Sequence, residues 1–183
     1  MATTKWVNDP THSELNFKIK HLMISNVSGS FQQFRVEVDT ENDDFSTAQI
    51  RLTAQIASIH TNNEQRDQHL RTSDFFEADT YPQLSFQSTK VERLTEDTFN
   101  VYGDLTMKGV SKPIRLSVEY SGVMKDPWGG GLRAGFSISS KINRSDWGIN
   151  FGGLLETGGV ALSDEVKINS EIELLKQPQA VTA

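Results

Sequence analysis

An all-β fold closed into an antiparallel barrel is what this 183-residue sequence predicts, and three observations carry that expectation. Apolar residues recur at every second position, the period of a half-buried strand. Short clusters of turn-forming residues separate the runs, as direct connections between antiparallel neighbours require. Several runs extend to about 10–12 residues, beyond the usual strand of five or six, and closure removes the unpaired edges that strands of that length would otherwise expose.

The runs, about eight of them, follow in chain order. Leu15, Phe17 and Ile19 alternate with polar neighbours, and Phe34, Val36 and Val38 repeat the pattern. The clearest run has Ala48, Ile50, Leu52, Ala54 and Ile56 apolar, with Gln49, Arg51, Thr53 and Gln55 polar between them. Shorter versions occur at Leu84 and Phe86 and at Phe99 and Val101. Longer ones return at Ile114 to Tyr120, at Leu132 to Ile138, and at Val166, Ile168, Ile172 and Leu174. "ENDD", "LTED", "MKGVSKP" and "KDPWGGG" supply the turns. Residues 1–176 read as one barrel domain and 177–183 as a C-terminal tail.

Two interruptions stand out. The connection over residues 58–82 far exceeds the usual four to six residues, and long ordered loops often serve as lids. Thr61 and Glu64 have capping-box spacing, which predicts a short helix from about Asn62 to Arg71. Asp67 and Arg71 then fall at i,i+4 in the favourable acid-first order, so an internal ion pair is expected. Asp67 and His69 are two apart and face different sides, which argues against a catalytic pair. Phe75 and Phe76 follow at once and are expected to anchor the segment over an apolar opening. The second interruption, Asn143 to Leu162, is glycine-rich and irregular.

Composition narrows function. A formal charge of -6 and a pI near 5.2, without a basic cluster, argue against a nucleic-acid partner. The absence of cysteine removes disulfides, cysteine-based zinc sites and thiol nucleophiles. His12, His21, His60 and His69 form no recognised ligand spacing, so neither metal nor cofactor is expected. No G-x-S-x-G marks a serine hydrolase, and "FGGLLETGG" lacks the GK[ST] of a phosphate loop. No stretch approaches the ~20 apolar residues of a membrane span, and the N-terminus lacks the apolar core of a secretory leader. The chain as given reads as cytoplasmic, or as periplasmic or secreted if a leader was removed.

Four motifs in order, "DPTHSELNFKIKHLMISNVSGSF", "ASIHTNNEQRDQHLRTSDFFEADTYPQLSF", "GDLTMKGVSKPI" and "INRSDWGI", resemble the YceI-like family across nearly the whole chain. The resemblance implies an extended, lipocalin-like, eight-stranded antiparallel barrel whose lumen takes up a long-chain isoprenoid or other amphiphilic lipid. It implies binding, storage or transport rather than catalysis, a homodimer, and links to isoprenoid quinone handling or stress responses. Taken with the alternation, a lumen ligand is expected to meet Phe17, Ile19, His21, Phe34, Ile50 and Leu52 on the early strands. Phe86, Leu116, Phe136 and Ile138 are expected on the later ones, with Phe75 and Phe76 from the lid and Arg144 and Trp147 from the glycine-rich interruption. Arg66 and Arg71 are candidates for a head group, since guanidinium recognises phosphate bidentately. Two other readings share the barrel: an enzyme acting on a hydrophobic small molecule in the same cavity, and an interaction or scaffold barrel with a filled core.

Overall fold

Eight strands close on themselves in the computed structural model, which describes residues 2–152 and 161–178. In chain order the strands are β1 (Thr3–Asn8), β2 (Glu14–His21), β3 (Ser25–Phe31), β4 (Phe34–Glu41), β5 (Asp44–Gln55) and β6 (Ile59–His60). After helix α1 (Glu64–Leu70) come β7 (Gln83–Arg93), β8 (Thr98–Met107), β9 (Val110–Lys125), β10 (Leu132–Asn143) and β11 (Leu162–Lys176). The ring runs β1-β4-β5-β7-β8-β9-β10-β11 and is sealed by antiparallel pairing of Trp6 with Lys176, Val7 with Leu175 and Asn8 with Leu174.

The remaining strands extend the barrel at one end. Beyond Glu173, β11 leaves β1 and pairs with β2, from Glu171 opposite Glu14 to Leu162 opposite His21. The handover occurs at Asp9-Pro10, where proline has no N–H to offer a ladder. Asp9 accepts from the Thr11 N–H at 2.9 Å, closing a local turn, and its own N–H donates to Glu173 at 2.8 Å. Strands β1 and β2 are thus two halves of one broken strand. The same break separates β3 from β4 at Gln32-Gln33, and a 3-10 turn over Ile56–Ser58 separates β5 from β6. Among the described residues β6 pairs with β3 alone, while β7 pairs antiparallel with β5. A seam therefore opens beside β6 at the extended end, where α1 and the aromatics after it lie.

Strands β1 and β3 lack the apolar alternation seen elsewhere. On β1 the inward positions are Thr4, Trp6 and Asn8, all buried, with only one apolar among them. On β3 they are Val27, Gly29 and Phe31. Gly29 is required there, because a Cβ would run into the Phe17 ring and the Thr61 methyl.

Helix α1 begins two residues later than the capping-box spacing predicts. Its cap is Asn63, whose side chain accepts from the Arg66 N–H at 3.0 Å. Thr61 is engaged instead with Asp67, a buried carboxylate that accepts from the Thr61 N–H at 2.9 Å and hydroxyl at 2.5 Å. Arg66 donates to the same Thr61 hydroxyl at 2.8 Å and to its carbonyl. The expected Asp67–Arg71 pair does not form. Arg71 donates to the carbonyls of Ala57 (3.2 Å) and Ile59 (3.4 Å). A buried carboxylate needs hydrogen bonds wherever it lies, whereas an exposed helical ion pair is worth only ~0.3–0.5 kcal/mol, so packing of α1 against β6 decides the outcome. No helix among the described residues is long and apolar enough to cross a membrane.

Candidate functional site

The inward positions of the barrel enclose a cavity of about 560 Å³. That volume lies within the ~300–1,000 Å³ typical of ligand sites. Its middle is lined by Phe17, Ile50, Leu52, Phe86, Leu116 and Ile138, each on a different strand or a different turn of the pleat. Ile50, Leu52, Leu116 and Ile138 point inward yet are only half-buried, because their side chains border open lumen. A filled core would bury them completely, so the geometry disfavours the scaffold reading.

Aromatic packing plugs one end. Phe45 sits 5.0 Å from Trp6 and 5.0 Å from Phe136, ring centre to ring centre, and Tyr120 stacks on Phe136 at 5.2 Å. Burial pushes the Tyr120 phenol above its ordinary pKa. Trp6 is wholly buried, its indole N–H donating to the Thr40 hydroxyl at 3.3 Å.

The opposite end is the mouth, and the segment after α1 covers it. Phe75 is buried and packs edge-on to Phe151 at 5.2 Å, while Phe76 meets Phe31 at 5.9 Å. The His69 ring is held between Phe75 (5.1 Å) and Phe151 (4.8 Å), and its Nε2 lies 2.8 Å from Asp74. The titratable groups on the described wall are His21, Arg66, His69 and Arg144, all at this end, and no carboxylate is among them. Arg144 is buried, and its guanidinium donates to the carbonyls of Ser163 (3.0 Å), Ile149 (3.1 Å), Phe151 (2.6 Å) and Leu162 (3.4 Å). Burial lowers its pKa from the ordinary arginine value. Deeper in the lumen, the buried hydroxyl of Ser170 has no hydrogen-bond partner among the described residues.

Most of the residues expected from sequence meet here. Phe17, Ile19, His21, Ile50, Leu52, Phe75, Phe76, Phe86, Leu116, Phe136, Ile138, Arg144 and Arg66 border the cavity. Three do not. Phe34 packs against both core clusters, the one holding Phe31 and Phe86 and the one holding Trp6 and Val36, and Arg71 is spent on backbone carbonyls. Trp147 is a core residue, 2% exposed, whose indole N–H donates to the Leu105 carbonyl at 2.8 Å. Sequence reasoning missed Phe45 and Phe151. Phe45 is out of phase with the run from Ala48, because the β4–β5 register shifts between Asp39 and Glu41. Phe151 lies in the glycine-rich interruption; residues 153–160 of that segment lie outside those described.

A second polar cluster sits outside the barrel at the plugged end. Arg133 bridges Asp9 (2.7 Å), Asp126 (3.0 Å) and Glu173 (3.1 Å), and His12 Nδ1 lies 2.9 Å from Asp9. Asp9, His12 and Glu173 have the spacing of a metal trio, but the Arg133 guanidinium already supplies the positive charge. Burial raises the Asp9 pKa, yet hydrogen bonds from His12, Arg133 and Thr11 outweigh it and hold the carboxyl well below the usual range. The bond to Asp9 raises His12. A depressed carboxyl contributes stability above its unfolded pKa that is lost as pH falls through the folded value. A raised imidazole contributes stability below its unfolded pKa that is lost as pH rises through the folded value. Thermal stability is therefore expected to peak between about pH 4 and 6.5, the unfolded values of the two groups. Melting curves across pH would check this: His12→Ala should flatten the decline on the alkaline side, and an unchanged decline would show that His12 does not cause it.

Comparison with known proteins is consistent along the whole barrel. A family model described as the YceI-like domain matches residues 6–174. A UPF0312 protein of Staphylococcus aureus strain N315 is 44% identical over 170 residues, 93% of this chain and 96% of the relative. The crystal structure of a Campylobacter jejuni YCEI protein aligns with a TM-score of 0.75 at 37% identity, over 88% of this chain and 91% of the other. A domain from Saccharophagus degradans described as polyisoprenoid binding shares the fold, with a TM-score of 0.68 at 18% identity over 94% and 98% of the two chains.

Proposed function

This chain belongs to the YceI-like family, and from that premise we propose that its lumen binds a long-chain isoprenoid or fatty-chain amphiphile for storage or transport, without catalysis. The observation that carries the reading is a lumen apolar along its length and closed by aromatics at one end, with every titratable wall group among the described residues at the other. An amphiphile matches that polarity if the chain runs toward Phe45 and Phe136 and the head stays at the mouth near Arg144, Arg66 and His21. Each methylene withdrawn from water contributes about 0.8 kcal/mol, so a chain of ordinary lipid length outweighs the ordering cost of binding. Roughly 12 residues per strand at 3.3 Å each, tilted near 40°, give a wall roughly 30 Å tall, enough for such a chain. The polyisoprenoid named for the Saccharophagus degradans neighbour is a ligand of this shape. The alternative of an enzyme acting on a hydrophobic small molecule in the same cavity is less well supported, since no carboxylate lines the described wall and His69 is wedged between two phenyl rings.

Solvent extraction of freshly purified protein followed by mass spectrometry, with titration of a fluorescent fatty-acid probe, tests the proposal. A stoichiometric apolar-chain lipid or saturable probe binding is expected; neither appearing would sink it. Replacing Phe75 and Phe76 together with serine should speed probe release about tenfold or more, the equivalent of losing ~1.4 kcal/mol of closure. Stopped-flow release from the folded variant reads this directly, and release at the parent rate would mean the segment is not a lid.

A further inference from the structure

We propose that the turn between β2 and β3 docks the mouth of the barrel onto the surface of an anionic lipid bilayer, an inference that rests on the lipid-binding reading of the lumen. Leu22, Met23 and Ile24 form this tip and are 41%, 57% and 84% exposed. Leu22 and Met23 hold φ of 52° and 60°, a left-handed conformation that hairpin tips usually assign to Gly, Asn or Asp. The chain thus accepts backbone strain in order to present three large apolar side chains to solvent. The tip is continuous with the mouth. His21, immediately before it, lines the cavity, and the Leu22 N–H donates at 2.8 Å to Ala161, which also lines it. Phe151, 46% exposed, adds a further apolar group to the same rim.

Charge on the outer wall is graded along the barrel. Toward the plugged end, one cross-strand row reads Glu119, Ser137, Glu171, Glu14 on β9, β10, β11 and β2. Next toward the mouth, Ser139, Asn169 and Asn16 form a neutral row. Nearest the mouth, Lys141, Lys167 and Lys18 stand opposite one another, with Lys20 two residues further toward the tip. All four lysines are exposed, and none forms an ion pair with a described residue. Glu165 and Asp146 are acids beside this row. Like charges directly opposite one another cost stability, so the lysine row calls for an external anion. In a chain of net charge -6, an anionic surface is repelled by the molecule as a whole and attracted at such a patch, which orients the protein mouth-first. Apolar side chains within a lysine fringe are the composition of interfacial anchors. The hairpin at the far end also exposes Met124 and Trp128, but it is bordered by the acidic cluster of Asp126, Asp9 and Glu173. An anionic surface disfavours that end.

Flotation of the full chain with phosphatidylcholine vesicles, with and without phosphatidylglycerol, tests the docking. The parent should float with the anionic vesicles only, and less so as salt rises. Met23→Ser with Ile24→Ser, and separately Lys18→Glu with Lys167→Glu, should each weaken association by about tenfold or more. Met124→Ser with Trp128→Ser should float like the parent. The proposal is overturned if the parent stays in the aqueous layer, if the tip variant floats unchanged, or if the far-end variant loses as much. It is also overturned if the parent is a dimer that the tip substitutions split and vesicles are not bound, because a second copy then covers the tip. The fluorescent fatty-acid probe, titrated without vesicles, separates the two readings. Vesicle association with neither probe binding nor a co-extracted lipid refutes the lumen proposal and supports the docking surface, and probe binding without vesicle association refutes the docking alone.

Discussion

Leu116→Glu is expected to weaken uptake of a fluorescent fatty-acid probe by about a hundredfold or more, since an uncompensated carboxyl beside an apolar chain costs ~3 kcal/mol and each 1.4 kcal/mol is tenfold. Leu116 lies on β9 opposite Val101, faces the lumen and is only half-buried. In the empty barrel a carboxylate there borders open space, so the fold tolerates it better than a charge among the packed rings of Phe45 and Phe136. The matched control is Ser117→Glu, the next residue along the same strand, which is exposed on the outer face opposite Asn100 and Ser139. It adds the same charge to the same strand without entering the lumen. Probe titration of both variants, with circular dichroism to establish folding, is decisive. Equal loss in the two, or full binding in Leu116→Glu, would mean that the ligand does not lie in the barrel.

Arg144→Leu carries the largest expected cost in stability. Its side chain ties the carbonyls of Ile149 and Phe151 on one side of the mouth to those of Leu162 and Ser163 on the other. Leucine replaces the buried stem but satisfies none of those carbonyls, and a buried unsatisfied polar group costs ~1–3 kcal/mol. Some of that is regained because a buried cation is no longer desolvated. A net loss of ~3 kcal/mol is expected, which lowers the melting temperature of a domain of this size by about 6–12 °C. Arg144→Lys should fall between the two, since an ammonium is a point charge with three donors rather than a planar fork. Thermal melts of the three proteins check the order, and a Leu variant as stable as the parent would show that these bonds contribute nothing net.

Much of the fold was legible because strand period and burial coincide. Where one face of a strand meets a lumen, every second residue must be apolar, and Ala48 to Ile56, Ile114 to Tyr120 and Leu132 to Ile138 announce themselves. Strands β1 and β3 escaped because their inward positions hold Thr4, Asn8 and Gly29, residues chosen for hydrogen bonding or for close approach. The helix-bearing connection and its aromatics at the mouth were legible from loop length and from Phe75 and Phe76; its internal bonds were not. Asp67 has an i,i+4 partner in sequence, but burial against β6 turned it toward Thr61 instead.

By itself, then, the sequence determined the β period, the barrel class, the long helix-bearing connection and the family, because these depend on patterns local to a strand or motif. Only the tertiary structure decided that β1 and β2 share one edge of β11, that Trp147 belongs to the core while Phe151 belongs to the mouth, and that Arg133 fills the acidic cluster. It also decided that three lysines from separate strands fall in one row beneath an apolar tip. These are properties of register: which residues face each other across strands is fixed by bulges, breaks and closure, and a one-residue slip in any ladder would scatter them.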